Sequence, residues 1–279
     1  MMKIITMGQG FASRYRSVNK TMEEAFLNKG EWISLSDWRV LKLAETTSTN
    51  TDAQELAGQI AGEFAVWAIK QTAGRGREDR QWQSSPQSSL TFSLLFRPSA
   101  DELKHLSLFT ALGALVLVDL LKDEYQIEAQ VKWPNDVLIN SKKTSGILLE
   151  AVWSGSEVEA LVLGIGVNLK NSAFANENEL RFPASSLEAA GIVVEDLAQF
   201  LKNLIEKINL RRKLLGSQQF LGDWNASLAF KGTFMPIKQY QGKTEMLCPE
   251  SINVDGSLNA RDQAGMLRII QSAEFSAPL

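Results

Sequence analysis

Several groups of residues in this chain have the types and spacing to hold a polar or anionic ligand. The most prominent is GRGREDRQW at positions 74–82. Its two glycines permit a close-approach backbone. Arg75, Arg77 and Arg80 supply forked donors suited to phosphate or carboxylate, and Trp82 adds a flat face. Such a segment reads either as a loop that closes over an anion or as an Arg/Gly surface loop touching RNA. The second group is Lys132-Trp-Pro-Asn-Asp136, followed by Lys143-Thr-Ser-Gly-Ile147. Pro134 makes a rigid turn, and Asn135 and Asp136 can orient a sugar, a phosphate or an amine. Lys143, close to Gly146, can stabilise charge on a carboxylate and a phosphate together. The plain alternative is a hairpin carrying a solvated lysine pair. The third group is Gly164-Ile-Gly-Val-Asn-Leu169, where glycines within a strand mark close backbone approach and Asn168 can bond a base or a phosphate. Packing against a helix would explain the same glycines. The fourth is Ser48-Thr49-Asn50, short polar side chains that can bind a compact polar head group or cap a helix.

Other chemistries are narrowed at once. The chain has one histidine, His105, and one cysteine, Cys248. Multi-histidine metal sites and an intramolecular disulfide are therefore excluded. A Ser-His-Asp triad would have to use His105, which reads instead as the start of a core helix. Cys248 reads as structural. No GxxxxGK[ST] loop occurs, and no GxGxxG follows a strand.

The elements that position these groups follow from hydrophobic spacing. Short strands are expected at 40–44, 64–70, 90–96, 131–133, 137–139, 147–153 and 158–167, with a tight turn at Asn140-Ser141. Helices are expected at 52–60, 101–122, 195–215 and 217–228. Thr21 and Glu24 suggest a capping box for an earlier short helix ended by Gly30. Trp32, Ile33, Leu35 and Trp38 suggest apolar anchors for the first 39 residues. Beyond Gly232 short alternating runs at 233–240, 243–248, 252–254, 258–261 and 266–270, separated by glycines, suggest a small β module. The division is thus 1–39 as an N-terminal extension, 40–230 as the main α+β domain and 231–279 as the β module.

Length and composition agree. The 279 residues suit one or two domains. Hydrophobic residues at 44% are enough for a sizeable core. With 29 Lys+Arg against 32 Asp+Glu the net charge is −3, which disfavours a generally basic nucleic-acid binder. No apolar stretch reaches the ~20 residues of a membrane span, and no signal-peptide core opens the chain. A cytoplasmic protein is expected.

Taken in order, STN at 48–50, QTAGRGR at 71–77, Arg80 and Trp82, KWPND at 132–136, K-x-x-GIL at 143–148 and GIGVNL at 164–169 resemble the biotin–protein ligase family. The resemblance implies an α+β fold with a mixed or antiparallel sheet and helices on one face, as in class II synthetase-like biotin/lipoate ligases, plus an SH3-like C-terminal barrel. It implies formation of biotinyl-5′-AMP from biotin and ATP, with Mg²⁺ arriving on ATP and no metal site of the protein's own. Transfer to a lysine of a biotin carboxyl carrier protein follows, of the acetyl-CoA carboxylase type. By the same resemblance Lys143 and Arg77 are catalytic. Ser48, Thr49, Asn50, Gln71, Arg75, Gly76, Arg77 and Lys143 bind biotin. Arg77, Arg80, Trp82, Lys132, Asn135, Asp136 and Asn168 bind ATP. Glu78 and Asp79 depart from the family, which has a glycine before the arginine there. Residues 1–39 carry six Lys/Arg against four acids, so a monofunctional ligase with no DNA binding is expected. A lipoate or octanoate ligase and a non-transferring sensor are the competing readings. An exposed strand edge could pair two subunits or dock the carrier.

Overall fold

A computed structural model of the chain describes residues 3–7, 30–78, 80–173, 182–239 and 243–276. The suggested helix around Thr21 and Glu24 lies outside them. Gly30, expected to end that helix, instead opens a strand.

Among the described residues, the larger sheet is built from β1 (Lys3–Met7), β2 (Gly30–Leu35), β3 (Trp38–Thr46), β4 (Phe64–Gln71), β7 (Ser89–Phe96), β8 (Gln130–Lys132), β9 (Asp136–Ile139), β10 (Lys142–Ser154) and β11 (Glu157–Asn168). Two short strands, β5 (Gly74–Arg75) and β6 (Gln81–Trp82), form a separate hairpin. The order across the sheet is β2-β3-β4-β7-β11-β10-β9-β8, with β1 alongside β10. Only β3/β4 and β1/β10 are parallel; the other neighbours are antiparallel. The parallel β3/β4 pair needs a crossover, which helix α1 (Thr49–Ala57) supplies. Residues 30–39 belong to this sheet: β2 and β3 form a hairpin in which Leu35 and Trp38 are buried. The expected start of the main domain at residue 40 thus falls inside β3.

Strand β7 is buried along its whole length because both its faces are covered. Leu90, Phe92, Leu94 and Phe96 join the core under the long helices, while Leu95 joins a second core under α1. The α+β class and the mixed sheet are as expected. One refinement concerns the helices: the long ones share one face, but α1 packs on the other. The continuous helix expected over 101–122 is two, α2 (Ala100–Leu103) and α3 (Leu108–Tyr125). A capping box, Ser99 with Glu102, closes the first turn, and Arg212 grips the same Glu102 carboxylate at 2.5 and 3.0 Å. The apolar period runs through the break and hides it. Helix α4 (Leu197–Arg212) is capped by Asp196, and α5 (Gln218–Ser227) by Ser217.

The C-terminal residues form an antiparallel sheet of β12 (Met235–Gln239), β13 (Thr244–Ile252), β14 (Leu258–Asp262), β15 (Leu267–Ile270) and β16 (Ala273–Phe275), in the order β15-β14-β13-β12-β16. This is consistent with the expected SH3-like module. The strand expected at 252–254 is absent: β13 ends at Ile252 and the chain turns through Gly256 at φ +83°. Strand β16, too short to show alternation, takes its place. The apolar core is continuous across residue 230, joining Trp224 and Leu228 to Met235, Ile237, Leu247 and Phe275. Trp133 Nε1 donates to the Gly256 carbonyl at 2.8 Å, tying the two sheets together beside KWPND.

Candidate active site

The site begins with α1. Ser48 takes the extended backbone of an N-cap, but its side chain makes no capping hydrogen bond. It lines a pocket instead, together with Thr49 and Asn50. Gln71, at the end of β4, fixes this corner: its Oε1 accepts from Thr49 N at 2.8 Å and faces Thr49 Oγ1 at 3.1 Å. Ser93 on β7 donates to Asn50 Oδ1 at 2.6 Å, which leaves Asn50 Nδ2 to donate to Glu150 Oε2 at 2.9 Å. Arg75 NH2 donates to the same oxygen at 2.7 Å. Gly164 makes the arrangement possible. A Cβ there would stand 2.1 Å from Asn50 Oδ1.

Across the pocket lie the charged residues. KWPND is the hairpin between β8 and β9, with a cis Trp133–Pro134 bond, and it sets Lys132 directly opposite Asp136. Their side chains pair at 2.7 Å, and Lys143 reaches the other Asp136 oxygen at 2.8 Å. A register shift between Lys143 and Ser145 lets β10 bring Lys143 to this point. Burial opposes charge on Asp136, but the two ammonium groups override it and hold the carboxyl well below the usual range. Burial pulls the Lys132 ammonium below its ordinary value, against the attraction of Asp136. Arg77 is likewise lowered by burial, with Glu78 and Asp136 opposing. Arg77 bonds Asn135 Oδ1 at 3.2 Å and Ser272 Oγ, from the bend between β15 and β16, at 3.1 Å. Arg80 pairs with Glu78 and with Glu274 of β16.

One pocket therefore brings together Ser48, Thr49, Asn50, Gln71, Arg75, Gly76, Arg77, Arg80, Trp82, Lys132, Asn135, Asp136 and Lys143. Asn168 is not among its walls. It donates to the Ser185 carbonyl at 3.0 Å and lines an adjoining pocket that shares Lys132, Asp136 and Lys143. Asn168 ends β11, where the strand leaves the first pocket. Gly146 is expected to admit a ligand. Here Trp82 and Lys143 occupy the space it leaves, at 3.0 and 3.2 Å from a Cβ. Gly166, its register partner, lies beneath the Trp82 ring as well. Trp82 thus stacks on two adjacent glycines, and Lys143 Nζ sits 5.7 Å from its centroid. Glu78 adopts φ +54°, a conformation that suits glycine; Asp79 lies outside the described residues. Sequence reasoning missed Glu150, Ser93, Ser272 and Glu274. A readable signal existed for Glu150, the lone charge in the apolar run ILLEAVW.

The fold and this pocket define the class. Residues 40–168 match the model of the Biotin/lipoate A/B protein ligase family, and the chain belongs to that family. Over 160 residues it is 37% identical to the bifunctional ligase/repressor BirA of Bacillus subtilis (strain 168), a match taking in 57% of this chain and 49% of that protein. The chain thus spans about half the length of that relative. Over 239 residues it is 35% identical to the biotin–[acetyl-CoA-carboxylase] ligase of Paracoccus denitrificans, covering 83% of this chain and 98% of that one. Among solved structures it is similar to biotin protein ligase from Aquifex aeolicus in complex with biotin and ATP. The TM-score is 0.71 at 27% identity, over 85% of this chain and 97% of the other.

Proposed function

We propose that this chain is an ATP-dependent biotin–protein ligase. A biotin carboxylate oxygen attacks the α-phosphorus of ATP. The new bond is the acyl–phosphate of biotinyl-5′-AMP, and pyrophosphate leaves. A lysine amine of a biotin carboxyl carrier protein then attacks the acyl carbon. An amide forms, AMP leaves and the amine loses a proton. The observation that carries the reading is the convergence of Lys143, Arg77 and the Lys132–Asp136 pair at one end of a pocket whose other end is a fixed polar corner.

Two anions must meet, and the cations answer that need. Lys143 contacts the carboxylate and the α-phosphate, where charge builds during attack. Arg77, half-buried and held by Asn135 and Ser272, lies over the adenylate. Asp136 is paired with two ammonium groups, which favour its ionised form. It aligns Lys132 and Lys143 and orients the incoming amine. Ser48, Thr49, Asn50, Gln71, Arg75 and Gly76 receive the ureido head. Arg80, Trp82, Lys132 and Asn135 serve the nucleotide, with Asn168 at the adjoining pocket. Mg²⁺ comes on ATP as part of that substrate, held mainly by phosphate oxygens. The nearby carboxylates, Asp136 and Glu274, are already paired with cations.

Pyrophosphate exchange into ATP tests the reading, run with biotin, with lipoate and with no acid. Exchange dependent on biotin alone is expected. Exchange with lipoate only, or none at all, would overturn it.

A further inference from the structure

We infer that Glu150 is a positioning residue for the head-group end of the pocket, holding Asn50 and Arg75 in the arrangement from which they meet a polar ring; the inference rests on the ligase reading above. Glu150 sits on β10 with no solvent exposure. A carboxylate so enclosed is costly unless paired and hydrogen-bonded. Its Oε2 takes three donors: Arg75 at 2.7 Å, Asn50 at 2.9 Å and Gln54 at 3.0 Å. Two of the three, Asn50 and Arg75, line the pocket, while Glu150 itself does not. It can reach a ligand only through them.

The orientation it imposes is specific. Ser93 donates to Asn50 Oδ1 at 2.6 Å and Glu150 accepts from Nδ2, so the Asn50 amide has one way round. Arg75 is tethered by the same oxygen, so its guanidinium is fixed relative to Asn50. A site with donors and acceptors fixed in this way favours a ring that carries both. It disfavours an apolar head, which would leave buried polar groups unpaired. The other oxygen, Oε1, makes no hydrogen bond. A glutamine can therefore place its carbonyl at Oε2 and its amide nitrogen at Oε1, keeping all three contacts while losing the charge. A leucine removes the acceptor altogether.

The test is pyrophosphate exchange with wild type, Glu150→Leu and Glu150→Gln, each checked for folding by circular dichroism. In Glu150→Leu the KM for biotin rises on the order of 100-fold, while the KM for ATP stays within about threefold. In Glu150→Gln most of that loss is recovered and the biotin KM rises about fivefold, the share owed to charge. Equal rises in both KM values would mean a merely structural role and overturn the inference. So would a folded Glu150→Leu with unchanged biotin KM. Where Glu150→Leu does not fold, Glu150→Gln decides alone: a wild-type biotin KM overturns the inference. Absence of biotin-dependent exchange in wild type would instead refute the ligase reading.

Discussion

Replacing Gly164 by alanine tests how tightly the polar corner is built. The added methyl would stand 2.1 Å from Asn50 Oδ1, 2.9 Å from its Cγ and 3.1 Å from its Nδ2. Strand β11 cannot yield, because β7 and β10 flank it and Gly164 is in register with Ser93 and Leu148. Asn50 must therefore retreat by at least about 1.3 Å to reach ordinary contact. Its two anchors are only 2.6 Å (Ser93) and 2.9 Å (Glu150) long, and such a shift breaks both. One is a neutral hydrogen bond and the other is charge-assisted, so the loss is about 2–4 kcal/mol. Taken wholly from biotin binding, that is roughly 30- to 700-fold in affinity. Titration calorimetry with biotin and urea unfolding together measure it, since any part not lost from binding appears as lost stability. Gly222→Ala is the control: in α5, nothing lies within 4 Å of a Cβ there. It should leave biotin affinity unchanged and raise stability by about 0.5–1 kcal/mol. If Gly164→Ala keeps both wild-type affinity and wild-type stability, the reasoning about Asn50 is wrong.

Lys143→Ala should slow biotin-dependent pyrophosphate exchange by about 10²–10³-fold, as expected for loss of a group that meets developing charge; a loss below tenfold would remove Lys143 from the chemistry. Asp136→Asn leaves Lys132 charged and buried without its partner and should cost about 3–5 kcal/mol at pH 7. Because the folded-state pKa of Asp136 is depressed, its stabilisation is complete above the unfolded carboxylate range and is lost as pH falls towards the folded value. The gap between wild type and Asp136→Asn in urea unfolding should therefore narrow below about pH 4; a constant gap would contradict the ion-pair account. Glu78→Arg combined with Asp79→Gly removes the two negative charges that separate Arg77 from Arg80 in the sequence and frees Arg80 from Glu78. Calorimetry should show tighter binding of ATP or the adenylate, and unchanged binding would count against a phosphate role for this loop.

Much of this protein was legible in one dimension, for physical reasons that are local. The strands of the main sheet were legible as short apolar runs bounded by turns, since strands such as β7 are covered on both faces and need no polar side. The turn at Asn140-Ser141 was legible because both residues take positive φ (51° and 58°) and sit between two apolar runs. The motif residues were legible as a set because six short motifs in order resemble one family, although each motif alone admitted another reading. What sequence alone could not decide depends on distant residues meeting. Glu150 lies 100 positions from Asn50 and 75 from Arg75, and only tertiary packing joins them: α1 over β10 and β11 brings Asn50, and the β5–β6 hairpin brings Arg75. Arg77 and Arg80 are anchored by Ser272 and Glu274, brought round by β16, a strand of three residues that no periodicity reveals. The break between α2 and α3 was hidden because one apolar period runs through both, and the decisive contact, Arg212 with Glu102, spans 110 positions. Local motifs nominated the candidate residues; the tertiary packing decided which of them share a pocket, and which buried charge contacts them there.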